Sequence, residues 1–288
     1  VALYPLDLIK VRLQVFDGAG SRYKSLAGAF RSIVGSEGFT ALYKGMTPGL
    51  AASVLSWGGY FYFYEQAKKR KLSSMPADAA TAKLGTVDHL LAGVEAGAVM
   101  VCVTNPIWLV KTRLQLQVNG EGQAQHYRGF TDAIRTILRE EGPIGLYRGF
   151  TPALFLTSHG AIQFAFYEKT KVFVREFTGK DEGEQPAWVS MGLGGNSKIV
   201  AAMVTYPYQV VKSRLQQRDT EIVNKKTGKL ERAPKYSGVF NCIYKMFRYC
   251  GGPLSFFKGI VPNCLRVAPA SAITFLVYEE ALKVLGDV

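Results

Sequence analysis

The side chains of this chain that can do chemistry are mostly charged, and they recur at a fixed spacing. Pro5-Leu6-Asp7-Leu8-Ile9-Lys10-Val11-Arg12, Pro106-Ile107-Trp108-Leu109-Val110-Lys111-Thr112-Arg113 and Pro207-Tyr208-Gln209-Val210-Val211-Lys212-Ser213-Arg214 place a lysine and an arginine at the same distance from a proline, and the prolines are 101 residues apart both times. A second pattern, Tyr64-Glu65-x-x-Lys68, Tyr167-Glu168-x-x-Lys171 and Tyr278-Glu279-x-x-Leu282, sets an acid three residues before a base, with Leu282 breaking the third copy. Such sets can hold a mouth shut by ion pairing, although solvated helix ends also carry local acid–base pairs. Covalent chemistry has no comparable set. No nucleophile stands beside a base, and no loop is shaped to cradle phosphate. His89, His126 and His159 with Cys102, Cys242, Cys250 and Cys264 lack metal-site spacing, so no metal is expected and the thiols read as reduced and unpaired. The chain does not read as an enzyme.

A period this long means a tripled structural unit. Each proline motif is followed by a linked second motif: Glu37-Gly38 with Tyr43-Lys44-Gly45, Glu141-Gly142 with Tyr147-Arg148-Gly149, and Gly251-Gly252 with Phe257-Lys258-Gly259. Nearly charge-free stretches cover 48–64, 90–110 (only Glu95), 150–167, 187–211 (only Lys198) and 260–278 (only Arg266), lengths suited to crossing a membrane. Residues 1–9 read as the end of a sixth, so the chain is expected to lack roughly half of its first span. Between them, 26–36, 130–140 and 239–249 repeat apolar residues at helical spacing (Phe30, Ile33, Val34; Ile134, Ile137, Leu138; Phe240, Ile243, Tyr244, Phe247), which predicts short helices along the membrane surface. The expected fold is an all-α membrane protein. Six transmembrane helices form three tandem repeats of ~100 residues around a pseudo-threefold axis. The repeats fall at 1–70, 86–173 and 187–288 and make one transmembrane domain.

Apolar residues make up 48% of the chain and mean hydropathy is +0.06, so it is the distribution of charge that argues for a membrane. The net charge is +13. Loops on the side of the proline motifs (15–47, 117–149, 218–259) hold 17 Lys or Arg, those on the other side (68–89, 169–186) hold 9, a bias that supports one topology. A basic membrane protein favours anionic lipids and anionic solutes. Nucleic acid is not an expected partner, because the basic residues are not clustered with aromatics on a soluble module. Proline within a helical run kinks it. Three kinks just before the charged residues would turn those ends inward and close one mouth of a central cavity; a plain bundle with kinks of no mechanical role is the alternative.

With these linked motifs the chain resembles the mitochondrial carrier family over practically all of its 288 residues. The resemblance implies a six-helix barrel in the mitochondrial inner membrane that alternates between cytosol-open and matrix-open states. It implies that the acid of each proline motif pairs with the lysine of the next odd-numbered helix to close the matrix side, and that the Tyr-Glu-x-x-Lys ends do the same on the cytosolic side. Carried onto this sequence, the matrix gate is Asp7, Lys10, Trp108, Lys111, Gln209 and Lys212. Asp7 pairs with Lys111, while Trp108 and Gln209 stand where the other two acids belong. Gln209 is left to hydrogen-bond Lys10, and Lys212 to face the Trp108 ring. The cytosolic gate is Glu65 with Lys171, Glu279 with Lys68, and Glu168 facing Leu282. A weakly latched matrix gate is expected, with positive charge at the cavity floor available to an anion.

Glu95, Lys198 and Arg266 lie deep in apolar stretches, where charge belongs in a wet cavity or against a partner. The planar fork of Arg266 suits carboxylates or phosphates, unless a structural ion pair holds it. Lys198 takes the second small-residue place of the pattern seen in Gly93-x-x-x-Gly97, as either a widening of the helix contact or a cavity charge with Glu95 as its partner. Trp57, with Tyr60 and His159, offers rings for stacking, though such rings also pack or face lipid. Phe155 and Leu156 align with the family's contact pair. Pro-Ile-Trp in the second motif, Ser56-Trp57-Gly58 and Ser158-His159-Gly160 are similar to the branch that moves folates, FAD, pyrimidine nucleotides and NAD. Folate/FAD carriers, plant-type ones among them, are the nearest in resemblance. The expected cargo is a small anionic aromatic solute, folate or FAD, with FAD entering as cargo and no cofactor held. A pyrimidine nucleotide or NAD is the alternative cargo, and a membrane scaffold or proton-leak protein the alternative class. Membrane lipids, cardiolipin among them, are the other expected partners of a monomer. The expected location is the mitochondrial inner membrane, with a plastid envelope as the alternative.

Overall fold

Proline sets where each of three helices starts or bends. The computed structural model describes residues 2–16, 23, 25–74, 85–118, 127–179, 187–218, 220–223, 230–233 and 235–267. In α1 (Tyr4–Val15) Pro5 occupies the first turn, where its missing N–H costs nothing, and Asp7 favours the positive end of the helix dipole. Pro106 and Pro207 instead lie inside the long helices α4 (Thr86–Leu116) and α8 (Ala187–Leu215). At about 1.5 Å per residue, α4 extends for about 45 Å. Among the described residues it alone, over 87–116, is long and apolar enough to cross a membrane by length and composition. Gly, Ser and Tyr within α3 (Met46–Ser73), a helix of 28 residues, keep it below the same mark.

The stretch 150–167, expected as one helix, is broken. It forms α6 (Phe150–Phe155) and α7 (Ser158–Thr178). At the break the Thr157 and His159 N–H groups donate to Leu154 O and Leu156 O, three residues back, and the Thr157 and Ser158 hydroxyls donate to Leu154 O and Phe155 O at 2.7 Å. Local side-chain bonding of this kind competes with the α-helical ladder. The last apolar stretch is helical over 260–267 (α10); its remainder lies outside the described residues.

The three surface helices form as the spacing predicts: α2 (Leu26–Glu37), α5 (Phe130–Gly145) and α9 (Val239–Tyr249). Ser25 caps α2, its hydroxyl accepting the Gly28 N–H at 3.0 Å. Each buries one stripe against the neighbouring long helix, giving three equivalent cores. Ala29 and Ile33 meet Leu8 and Ile9; Ala133 and Ile137 meet Leu109 and Val110; Cys242 and Met246 meet Val210 and Val211. The expectation of an all-helical chain needs one amendment. In the loop of the third unit, β1 (Thr220–Val223) pairs antiparallel with β2 (Leu230–Ala233), Thr220 opposite Ala233 and Val223 opposite Leu230. That loop is the longest of its kind and brings β-branched Thr220, Ile222 and Val223 together.

Glycine fixes the entry to each later helix. Gly45, Gly149 and Gly259 have φ of 77°, 76° and 82°. A Cβ on them would fall 2.9 Å from Lys111 O, 3.2 Å from Lys212 O and 3.0 Å from Lys10 O. The starts of α3, α6 and α10 are thereby pressed onto the carbonyl of a motif lysine in another unit. Hydroxyl and amide groups strap the same junctions: Tyr4 donates to Lys44 O at 2.9 Å, Tyr206 to Lys258 O at 3.0 Å, and Asn105 Nδ2 to Leu146 O at 2.9 Å. Gly45→Ala is expected to lower the melting temperature of the detergent-purified protein, from about 1–2 kcal/mol of left-handed backbone strain plus the clash. Gly35→Ala, on open α2 surface with nothing within 4 Å, should leave it unchanged or slightly higher.

Candidate functional site

A ring of buried arginines closes the end of the molecule that carries the proline motifs. Arg12 Nε donates to Gln115 O at 2.9 Å, Arg113 Nε to Gln216 O at 3.2 Å, and Arg214 Nε to Gln14 O at 3.0 Å, so each reaches the end of another unit's helix. Tyr23, Tyr127 and Tyr236 hydroxyls each accept from one of them at 3.3 Å. Glu37 and Glu141 take the first two arginines in bidentate fashion and are also held by Lys44 at 2.8 Å and Arg148 at 3.2 Å. In the third unit Gly251 stands where the acid recurs, and Cys250 Sγ meets Arg214 at 3.3 Å. Burial raises the Glu37 pKa, but hydrogen bonds from Arg12 and Lys44 outweigh it and hold the carboxyl below its usual range. Sequence reasoning assigned no role to these arginines. The signal was their exact recurrence beside an acid present twice and absent once.

Above this ring lie the motif acids and lysines. Lys111 Nζ is 2.6 Å from Asp7 Oδ2, and Lys10 Nζ donates to Gln209 Oε1 at 2.8 Å, both as the pairing scheme has it. The third position differs. The Trp108 ring receives Lys111, at 5.0 Å, rather than Lys212, and Lys111 also sits 5.6 Å from the Tyr4 ring. Lys111 takes both partners because the Asp7 carboxylate draws it to the side where those rings stand. Arg266 Nε lies 3.8 Å from Asp7 Oδ1. One carboxylate thus serves several cations.

At the opposite end the expected Glu65–Lys171 pair is not made: each described acid has a base one turn along its own helix, Lys68 Nζ 2.9 Å from Glu65 and Lys171 Nζ 4.0 Å from Glu168. Glu279 lies outside the described residues. Between the two ends is a cavity of about 720 Å³, lined by Ser56, Trp57, Tyr60 and Tyr64 of α3, Gly93, Gly97, Met100, Asn105 and Trp108 of α4, Ala153 of α6, Leu156 and Thr157 at the α6–α7 break, Gly160 and Phe164 of α7, and Lys212 of α8. Trp57 is 67% exposed and stacks on Phe61 at 6.2 Å, and Tyr60 stacks on Tyr64 at 6.0 Å.

The structure gathers Trp57, Leu156, Trp108 and Lys212 around this space. His159 Nδ1 lies 3.0 Å from Thr205 Oγ1, and Phe155 stacks on Tyr208 at 5.6 Å, so both join the second unit to α8 instead. Glu95 pairs with Arg70 of the adjacent α3 and not with Lys198, because the α3–α4 contact offers a guanidinium directly across. Lys198 is half-buried on α8, within electrostatic reach of His159.

The family model described as mitochondrial carrier protein matches this chain three times, at residues 1–74, 82–178 and 183–288. The chain belongs to the mitochondrial carrier family. It is 43% identical to "Folate transporter 1, chloroplastic" of Arabidopsis thaliana, over 99% of this chain and 90% of that protein. It is 35% identical to "Mitochondrial substrate carrier family protein M" of Dictyostelium discoideum, over 98% and 90% respectively. It is also 35% identical to "Nicotinamide adenine dinucleotide transporter 2, mitochondrial" of Arabidopsis thaliana, over 99% and 75%. Members of this family are transporters rather than enzymes.

Breaking a buried ion pair from one side costs about 3–5 kcal/mol. Glu37→Gln should therefore lower stability by that order, whereas Cys250→Ser, which exchanges a weak sulfur acceptor for a hydroxyl oxygen, should cost about 1 kcal/mol or less. The Glu37 contribution is fully present above the unfolded carboxyl pKa of about 4.3. It is lost as pH falls through the lower folded value. Melting curves of wild type and Glu37→Gln should consequently converge in acid and separate toward neutral pH.

Proposed function

We propose that this chain is a solute carrier moving folate or FAD across an organelle membrane by alternating access. The observation that carries this reading is a cavity lined by aromatic rings and by the ammonium-bearing Lys212, in a chain so similar to a folate transporter. In this reading α1, α3, α4, the α6–α7 pair, α8 and the helix begun by α10 are the six spans, in three repeats that close one barrel as a monomer. Asp7, Lys10, Trp108, Lys111, Gln209 and Lys212 form the matrix-side gate. Glu65, Lys68, Glu168, Lys171 and Glu279 form the cytosolic one. The membrane is the mitochondrial inner membrane or a plastid envelope, and anionic lipids such as cardiolipin surround the basic loops.

The chemistry required is binding alone. A pterin or flavin ring stacks on Trp57, an exposed aromatic face that needs no particular hydrogen-bond pattern. The anionic end of the solute meets Arg266 beside Asp7, where a guanidinium fork grips carboxylate or phosphate oxygens. A solute bound more tightly in one barrel state shifts the equilibrium by that difference in affinity. With one carboxylate, Asp7, shared by Lys111 and Arg266, and one charge-assisted hydrogen bond from Lys10 to Gln209, the closing contacts among the described residues are few, so a modest differential suffices. NAD is the second candidate cargo, because the 35% identical relative carries that name.

Liposomes holding the purified protein should take up labelled folate or FAD saturably, and Arg266→Ala should reduce uptake at least about tenfold, the loss of a charge-assisted hydrogen bond. Uptake of NAD or a pyrimidine nucleotide alone would keep the transporter and replace its cargo. No uptake of any of these solutes would move the reading to a membrane scaffold or proton-leak protein.

A further inference from the structure

The three internal copies let each lysine at the closed end be compared with its two equivalents. Lys111 has Asp7 at 2.6 Å and two aromatic rings; Lys10 has Gln209 at 2.8 Å and the Tyr206 ring at 5.7 Å. Lys212 has neither an acid, nor a hydrogen-bond acceptor, nor a ring among the described residues. The position that would answer it is Trp108, whose ring is occupied by Lys111. Lys212 nonetheless lines the same cavity as Trp108. Its backbone is held there by the close approach of Gly149, whose Cβ position is 3.2 Å from Lys212 O.

Charge reinforces the comparison. Lys10, Lys111 and Arg266 lie within electrostatic reach of Asp7, and Lys212 lies within reach of Lys10 and Lys111 but not of that carboxylate. An excess of like charge away from bulk water is unfavourable until an anion enters. A lysine ammonium is a compact charge with three rotatable donors, suited to a single carboxylate or phosphate oxygen.

We propose that Lys212 is the anchor for an anionic group of the transported solute, which takes the place that a carboxylate at position 108 would fill, so that the cargo completes the closed matrix-side gate. This rests on the transport reading above. It makes the cargo's charge part of the gate: a solute with two negative groups satisfies both Arg266 and Lys212, and one with a single negative group leaves one of them unanswered. Trp108 then has two effects. It removes the competing carboxylate, and its ring walls the site where the anion sits.

The test uses uptake by liposomes together with solute-induced thermal stabilisation of the purified protein. Trp108→Asp supplies the carboxylate from the protein itself. It should raise the melting temperature of the solute-free protein, shrink the stabilisation by folate or FAD, and raise the half-saturation concentration about tenfold or more. Lys212→Gln should raise half-saturation by the same factor and abolish the preference for folate over its monoamide, or for FAD over riboflavin; Lys212→Arg should restore part of it. Variants that transport with wild-type half-saturation and an intact preference would overturn the role of Lys212 while leaving the carrier reading in place. A wild-type chain that transports none of these solutes would overturn the carrier reading and this assignment together.

Discussion

The closed end of this molecule depends on burying three arginines. A helix leaves its last carbonyls without partners and carries a partial negative charge at that end. Arg12 answers this need at the end of α4, Arg113 just beyond α8, and Arg214 at the end of α1, each guanidinium reaching from one unit to the next. A buried cation is tolerable only if its own charge is answered. Glu37 and Glu141 do so from within their units, bringing α2 and α5 with them. The surface helices are therefore held by charge as well as by their apolar stripes, and α1, α4 and α8 are tied into a ring before any motif lysine contact is counted.

The symmetry of this frame is strict in the backbone and loose in the side chains. Gly45, Gly149 and Gly259 share one left-handed conformation and one close approach to a lysine carbonyl, because the geometry leaves no room for a Cβ. Side chains that decorate the frame have diverged: Asp7, Trp108 and Gln209 at one position, Tyr4, Asn105 and Tyr206 at another, Glu37, Glu141 and Gly251 at a third. Where the constraint is steric all three copies agree. Where it is electrostatic the copies differ, with the acid kept once at the first of these positions and twice at the third.

Much of this was legible in the sequence because it is periodic. The tripled unit and the three short helices follow from motif spacing and apolar periodicity, and the contacts Asp7–Lys111 and Lys10–Gln209 from what the family resemblance implies. What escaped depended on which neighbour a helix face meets. Glu95 looked inward on α4, yet the nearest base is Arg70 on α3, a residue in no motif. Trp108 was matched to Lys212 by symmetry, yet Lys111 takes its ring, since a carboxylate on one side of that lysine decides where it lies. The helix break at 156–157 comes from two hydroxyls bonding locally, a competition of short-range bonds that charge patterning does not reveal. Gly, Ser and Tyr dilute the apolar signal of α3, so that among the described residues α4 alone is both long and apolar enough to cross a membrane.

The seams between units show why a missing charge can be tolerated at Lys212. The first unit meets the second through Asp7–Lys111 and meets the third through Lys10–Gln209. Between the second and third, Lys212 has no such partner among the described residues, and beside the Arg113–Gln216 contact and an Arg218–Glu140 ion pair at 3.5 Å the joint is made by the Phe155–Tyr208 stack, the His159–Thr205 hydrogen bond and Thr112 donating to Gln216 at 3.0 Å. Stacking and neutral hydrogen bonds hold two surfaces together without consuming a charge, whereas an ion pair consumes one on each side. A seam built from rings can therefore stay closed and still present an unneutralised ammonium to the cavity. The reverse arrangement, an ion pair to Lys212 itself, would have spent that cation on holding the protein to itself. Chemistry available to a solute is, on this argument, what remains after the seams have been secured, and the replacement of an acid by Trp108 is the substitution that leaves it.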